Sequence, residues 1–199
     1  MDLLTSIFDA LMRMTPHYTD TESKAERAAR MHIVAEAINN VTKRAACTGL
    51  TAEQCRPIFS DRRLLAGLLL GKGHFESDFA QYVHEGHCDQ GPVGQRCDPD
   101  DFGAARAHGP WQQWKPSIFP QADWAAMYAA TPEATELAAW HAAKLLAGSR
   151  SMCKQAFAGD EVQAAIAGFS GSCTMGMAPK KVAYQAAAVR KILATLPAE

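Results

Sequence analysis

A single glutamate, Glu76, follows a run of leucines and is the residue in this chain best placed for acid–base chemistry. At about 100° per residue, Glu76 points within about 20° of both Leu65 and Leu69 on a helix, so it extends their apolar stripe. A carboxyl group that loses hydration there favours its neutral acid form. That form is the one that protonates a leaving glycosidic oxygen. The spacing therefore makes Glu76 a candidate general acid of the kind that a glycosidase needs.

The neighbours of Glu76 leave a second interpretation open. Gly73 lies near the same stripe and predicts an open space just before the carboxyl group. The alternative to a catalytic acid is a glutamate at a helix end that turns to solvent or pairs with Lys72 or His74. Perturbed carboxyl groups occur in structural ion pairs as well as in active sites, so spacing alone does not choose between the two.

Two later segments bear on this choice. The segment "GPWQ" places Gly109 and Gln112 after a long loop, and "GFSG" places Phe169 just after a helical pattern. With "FESDF", they resemble the three sequence blocks of the soluble lytic transglycosylase and goose-type lysozyme superfamily. The blocks occur in the family's order over roughly residues 60–195, and the ordered set is more specific than any block alone.

The resemblance implies a lysozyme-like helical fold and a role for each matching residue. Glu76, in the E-S-x-F match, would be the catalytic acid. Phe169 stands where the family has a tyrosine and therefore carries no hydroxyl group. Tyr184 matches the aromatic position of the helix that follows. The residues expected to line the sugar cleft are Ser77, Trp111, Gln112, Phe169 and Tyr184.

The resemblance also implies a substrate and two possible mechanisms. The expected substrate is peptidoglycan, cleaved at the β-1,4 bond between N-acetylmuramic acid and N-acetylglucosamine. A lytic transglycosylase needs only the glutamate, whereas an inverting muramidase needs a second carboxylate about 6.5–9.5 Å away to activate water. Candidates for that base are Asp98, Asp100 and Asp101, which also suit ordinary turn chemistry. A third possibility is a glycan-binding domain without catalysis.

Histidines and cysteines near the glutamate suggest a rival of another class, a zinc-stapled structural module. Imidazole and thiolate groups are common zinc ligands, and the candidates are His74, His84, His87, Cys88 and Cys97. The pattern is not HExxH, no C-x-x-C pair is present, and zinc would compete with a disulfide between the two cysteines. We therefore expect neither a metal nor a cofactor.

Six cysteines fall as three sequence-local pairs, Cys47 with Cys55, Cys88 with Cys97, and Cys153 with Cys173. Six cysteines allow 15 pairings, and we favour the local set because each pair closes a loop-like segment. Disulfides indicate an oxidising compartment, so we expect a periplasmic or extracellular protein, although no signal peptide is visible. No apolar run approaches the roughly 20 residues needed to cross a bilayer.

The segments that carry these residues show the periodicity of helices, and we predict a mainly α-helical chain. The chain has 199 residues, 48% of them apolar and 21% charged, which suits one globular domain. We expect residues 1–59 to form the N-terminal helical part of that domain and 60–199 its lysozyme-like core. The second helix should begin at a capping box from Thr19 to Glu22, and Ser60 should cap the leucine-rich helix.

Charge and composition limit the partners. The net charge of −1 gives no basis for nucleic-acid binding, and the basic residues Lys24, Arg27, Arg30, Lys43 and Arg44 are expected to form a solvated helix face. From residue 85 to 110 the helical pattern gives way to a long loop rich in Gly, Pro, Asp and His, in which a small hairpin is conceivable. We expect a monomer acting on glycan strands.

Overall fold

A computed structural model describes residues 2–86, 109–112, 120–127, 129–169, 173 and 179–198. Within these ranges the chain is helical and contains no strand, which confirms the predicted mainly α class. The helices are α1 (Leu3–Arg13), α2 (Lys24–Ala45), α3 (Arg62–Ser77), α4 (Gln81–His84), α5 (Gln121–Ala126), α6 (Pro132–Cys153), α7 (Glu161–Phe169) and α8 (Pro179–Leu193).

Both predicted helix starts are displaced along the chain. Helix α2 begins after Ser23, which forms the capping box with Glu26, so the predicted box from Thr19 to Glu22 is wrong. The physical reason is that the Glu22 carboxylate binds Arg30 instead. Helix α3 is capped one residue after the predicted Ser60. There, the Asp61 side chain accepts a hydrogen bond from the backbone of Leu64 at 2.8 Å.

Helix α3 lies at the centre of the fold and buries its leucines completely, with Leu65, Leu68 and Leu69 all at 0% exposure. It approaches α8 closely because two glycines face that helix. A β-carbon at Gly67 would lie 2.5 Å from Leu193, and one at Gly71 would lie 2.4 Å from Val189. The glycines therefore set the distance between α3 and α8, and nearer the end of α3 Phe75 meets Tyr184 of α8.

Helices from the two predicted parts of the chain pack against one another. Helices α1 and α2, within residues 1–59, contact α3, and α2 also packs along α6. The apolar core likewise includes residues from both parts, from Ile7 and Ile38 to Leu146 and Val189. Both parts contribute to this core, which marks no boundary at residue 60. The division there therefore stays a prediction.

Two of the three predicted disulfides are present. Cys47 bonds Cys55 with 5.8 Å between the α-carbons, and Cys153 bonds Cys173 with 5.1 Å between them. Both separations lie in the normal range for a disulfide. The second bond ties the chain after Phe169 to the C-terminal end of α6. The predicted Cys88–Cys97 pair, and the loop that it was expected to staple, lie outside the described residues.

The predicted basic face of α2 is exposed at Lys24, Lys43 and Arg44, as expected, but not at Arg27 and Arg30. Arg27 and Arg30 are 6% and 8% exposed, because the segment before α2 folds over them. Arg30 binds Glu22 and lies 3.5 Å from Asp20. Burial lowers the pKa of the Arg27 guanidinium, and the positive charge of Arg30 lowers it further. Such buried charges are retained when paired, and here the pairs hold the segment before α2 against the helix.

Arg30 also connects this charged cluster to the turn after α3. Its guanidinium donates a hydrogen bond to the backbone carbonyl of Phe79, and Asp20 accepts one from the backbone of Gln81 at 2.8 Å. The turn that follows Glu76 is thus fixed from the N-terminal part of the chain. No helix in the described part of the chain is long and apolar enough to cross a membrane.

Candidate active site

Glu76 lies in the last turn of α3 with 28% of its side chain exposed. Its carboxylate accepts a hydrogen bond from the Lys72 ammonium group, one helical turn earlier. Of the two partners that the sequence offered Glu76, Lys72 is the one present, whereas His74 pairs with Asp78. The carboxylate still faces solvent on its other side, so it remains accessible to a ligand.

Lys72 is completely buried, which is unusual for a lysine. Its ammonium nitrogen lies 4.7 Å from the centre of the Phe169 ring, a cation–π distance, and beside Glu76. Burial lowers the pKa of the Lys72 ammonium, the Glu76 carboxylate opposes that shift, and the positive charge of Lys181 adds to it. The ammonium is therefore held by one carboxylate and one aromatic face.

The open space predicted at Gly73 does not exist. The Phe79 ring fills it, and a β-carbon at Gly73 would lie only 2.0 Å from that ring. Phe79 reaches this position because the chain reverses at Asp78 and Phe79, which have φ values of 52° and 51°. The ring is buried and meets Trp111 edge-on, with 6.0 Å between the ring centres. Gly73 thus admits a core side chain rather than a substrate.

The "GPWQ" segment docks directly on the "FESDF" segment. The Ser77 hydroxyl donates a hydrogen bond to the Pro110 carbonyl at 2.7 Å and accepts one from the Phe79 backbone at 3.2 Å. Ser77 is only 8% exposed. Its hydroxyl therefore holds the two segments together and lies beneath the surface that a sugar would reach.

Two residues predicted to line the cleft are buried in this docking. Trp111 is 0% exposed, and its indole donates a hydrogen bond to the Leu69 carbonyl at 2.8 Å. The predicted place of Trp111 in the cleft lining is wrong, because no part of its side chain reaches the surface. Gln112 is 7% exposed, and its amide donates to the Gly109 carbonyl at 3.2 Å. Both residues are therefore buried in the contact between the two segments.

The exposed side of the site carries aromatic residues. Tyr184, on α8, is 69% exposed and meets Phe75 edge-on, with 5.8 Å between the ring centres. Phe75 precedes Glu76 and is half-buried, as is Phe169. Aromatic rings beside an accessible carboxylate can stack on apolar sugar faces. Tyr184 is thus the predicted cleft residue that the structure leaves most exposed.

Lys72 was the residue that sequence reasoning missed as part of the site. Its position carried a signal, since it points within about 20° of Leu65 on the helix, on the same apolar stripe as Glu76. Two opposite charges four residues apart on one apolar stripe predict a partly buried ion pair. Phe75 carried no comparable signal, because its contact with Tyr184 joins residues distant in sequence.

The histidines of the rival zinc interpretation do not converge in the described part of the chain. His74 pairs with Asp78 at 2.8 Å, and His84 is buried with its ring 2.7 Å from the Thr135 hydroxyl. In the described ranges, no three His, Cys, Asp or Glu side chains gather as a metal site would need. The remaining candidates lie outside those ranges, namely His87, Cys88 and Cys97, and so do the candidate bases Asp98, Asp100 and Asp101.

Comparison of the chain with family models, with curated proteins and with solved structures finds no match in any of the three. The site is therefore defined by its own geometry. It is a partly exposed carboxylate at a helix end, held by a buried ammonium group and flanked by aromatic rings, with a second chain segment docked behind it.

Proposed function

We propose that this protein is a peptidoglycan-cleaving lytic transglycosylase in which Glu76 is the only catalytic carboxylate. The observation that carries the proposal is convergence. Three segments that resemble one enzyme superfamily are distant in sequence, yet Ser77 binds Pro110 and the Lys72–Glu76 pair lies against Phe169. This packing of the two later segments on the C-terminal end of α3 supports the proposal.

The proposed reaction uses Glu76 twice at the β-1,4 bond between N-acetylmuramic acid and N-acetylglucosamine. Protonated Glu76 first gives its proton to the leaving oxygen of N-acetylglucosamine as the bond to C1 of N-acetylmuramic acid breaks. The resulting carboxylate then takes the proton of the muramic acid C6 hydroxyl, whose oxygen bonds to C1. The product is a 1,6-anhydro sugar, and Glu76 ends protonated again.

The exposed aromatic residues supply the binding surface in this proposal. Tyr184 contacts Phe75, which precedes Glu76 in α3, and these two rings would stack on the apolar faces of the sugar rings. The two disulfides support an oxidising compartment, either periplasmic or extracellular, where peptidoglycan is found. No cofactor enters this reaction.

Mass analysis of the fragments released from purified peptidoglycan tests the proposal. A transglycosylase releases fragments with anhydro ends, which are lighter by one water molecule than the reducing ends left by a hydrolase. Reducing ends, together with loss of activity in Asp98→Asn, Asp100→Asn or Asp101→Asn, would instead establish an inverting muramidase.

A glycan-binding domain without catalysis is the second candidate. The observation that favours it is the pair with Lys72, because a carboxylate that neutralises a buried ammonium group has a structural role without any catalysis. Co-sedimentation with insoluble peptidoglycan separates the two candidates. A binding domain would be retained on the polymer without releasing any fragment at any pH between about 4 and 9, whereas the enzyme would release fragments within that range.

A further inference from the structure

The buried side chain of Lys72 ends in contact with Glu76. Its side chain is 0% exposed, and its ammonium group ends on the Glu76 carboxylate and over the Phe169 ring. Phe169 has no hydroxyl group with which to donate a hydrogen bond. The donor to the Glu76 carboxylate is the Lys72 ammonium group. The other charge acting on the ammonium is that of Lys181, at the start of α8.

We propose that Lys72 is a positioning residue that fixes the Glu76 carboxyl group and stabilises the carboxylate left when Glu76 gives up its proton. This inference rests on the proposed function, because it assigns Lys72 a part in the same proton transfer. Lys72 itself need not touch substrate or change its own protonation during the reaction.

The physical basis is the change in charge during proton donation. A neutral Glu76 gains little from the ammonium group, whereas the carboxylate formed in the transition state gains a strong charge-assisted hydrogen bond. Because the donor nitrogen is buried, water screens this attraction less than it would at the surface. Lys72 thus stabilises the negative charge that develops on Glu76 as its proton leaves.

The pH dependence of cleavage is the readout that a merely structural role would not move. In Lys72→Met the side-chain volume is kept and the cation is lost. The alkaline limb of the pH–rate profile should then move to higher pH, with a lower rate at the optimum, because the carboxylate formed during the reaction has lost its charge partner. Lys191→Met, on the exposed side of α8, is the matched control and should leave the limb in place.

A second measurement covers the case in which Lys72→Met fails to fold. Nitrogen NMR of the lysine ammonium groups follows Lys72 directly in the wild type and in Glu76→Gln. Since burial lowers the pKa of Lys72 and Glu76 raises it, removal of the carboxylate charge should lower that pKa further. An unchanged Lys72 titration would overturn the inference, because the two groups would then not interact.

The experiments distinguish failure of the proposed function from failure of the role assigned to Lys72. If the wild type releases no fragments from peptidoglycan, the proposed function falls and the role of Lys72 in it falls too. If the wild type cleaves and folded Lys72→Met keeps the same alkaline limb, the proposed function stands and only the role of Lys72 is overturned.

Discussion

At the scale of the residue, Glu76 carries both the proposed chemistry and a structural charge. We expect Glu76→Gln to reduce peptidoglycan cleavage by at least about 10²–10⁴-fold, because the amide has no proton to donate. The variant should retain binding to the polymer, since the amide keeps the size of the side chain. Fragment release and co-sedimentation measure the two properties, and cleavage at the wild-type rate would end the assignment of Glu76.

The same substitution should also affect stability, because Lys72 is buried and loses its charge partner. We expect Glu76→Gln to lower the free energy of unfolding by roughly 1–3 kcal/mol, even though the amide oxygen can still accept a hydrogen bond. The double variant Lys72→Met/Glu76→Gln should regain most of that loss, since it leaves no unpaired charge. Urea unfolding measures both, and equal stabilities of the single and double variants would contradict the coupling.

A second residue, His84, should make the protein sensitive to acid. Burial, with a contribution from the positive charge of Arg30, lowers the pKa of His84 to about 3 from an ordinary value of 6.5. Between these values the unfolded chain binds a proton that the folded chain does not. The free energy of unfolding therefore keeps its full value with respect to His84 above pH 6.5. It falls as the pH drops from 6.5 towards 3, by roughly 3–5 kcal/mol in total.

The variant His84→Gln isolates this effect. Glutamine can keep a hydrogen bond with the Thr135 hydroxyl but does not titrate. We expect its unfolding free energy to fall less steeply than that of the wild type between pH 6.5 and 3, as measured by urea unfolding at a series of pH values. Parallel curves for the two proteins would show that His84 is not the titrating group.

At the scale of the element, the close approach of the turn after α3 depends on Gly73. We expect Gly73→Ala to destabilise the protein by roughly 1–3 kcal/mol, because the new methyl group would overlap the buried Phe79 ring. Displacing Phe79 would also move the turn that follows Glu76, so cleavage should fall as well. Thermal unfolding and fragment release measure these effects.

Gly148 is the matched control for that substitution. It lies inside α6, and a β-carbon there would meet no atom within 4 Å. Gly148→Ala should therefore stabilise the protein by about 0.5–1 kcal/mol through helix propensity alone, without changing cleavage. If both alanine variants behaved alike, the packing of Phe79 against Gly73 would not be the cause.

At the scale of the whole molecule, the two disulfides should differ in their importance for function. In the chain-entropy model, bonds that span 8 and 20 residues stabilise by about 2.5 and 3 kcal/mol. Loss of Cys153–Cys173 should also reduce cleavage, because that bond anchors the chain that follows Phe169. Loss of Cys47–Cys55 should leave cleavage intact, since it joins the end of α2 to the loop before α3.

Alanine replacement of both cysteines in each pair tests this difference. Urea unfolding gives the stabilities, and fragment release is compared at a temperature at which both variants remain folded. Equal losses of cleavage in the two folded variants would indicate that the bond after α6 has no particular part in placing Phe169.

The amino-acid sequence by itself determined the local features of this protein. Helical periodicity predicted the α class, and the short separations within each cysteine pair predicted the two disulfides that the structure describes. Spacing on one helix also determined that Glu76 shares a stripe with Leu65 and Leu69. Each of these properties depends on residues near one another in the chain, so periodicity and spacing suffice to find them.

Only the tertiary structure decided what covers each helix face. Periodicity states which side chains share a face but not which distant segment packs on it. Phe79 therefore fills the space at Gly73, Trp111 enters the core, and acidic residues before α2 bury Arg30. The burial of Lys72 follows from the same cause. Its charge is held by a neighbour on its own helix, but its removal from water depends on helices brought together by the fold.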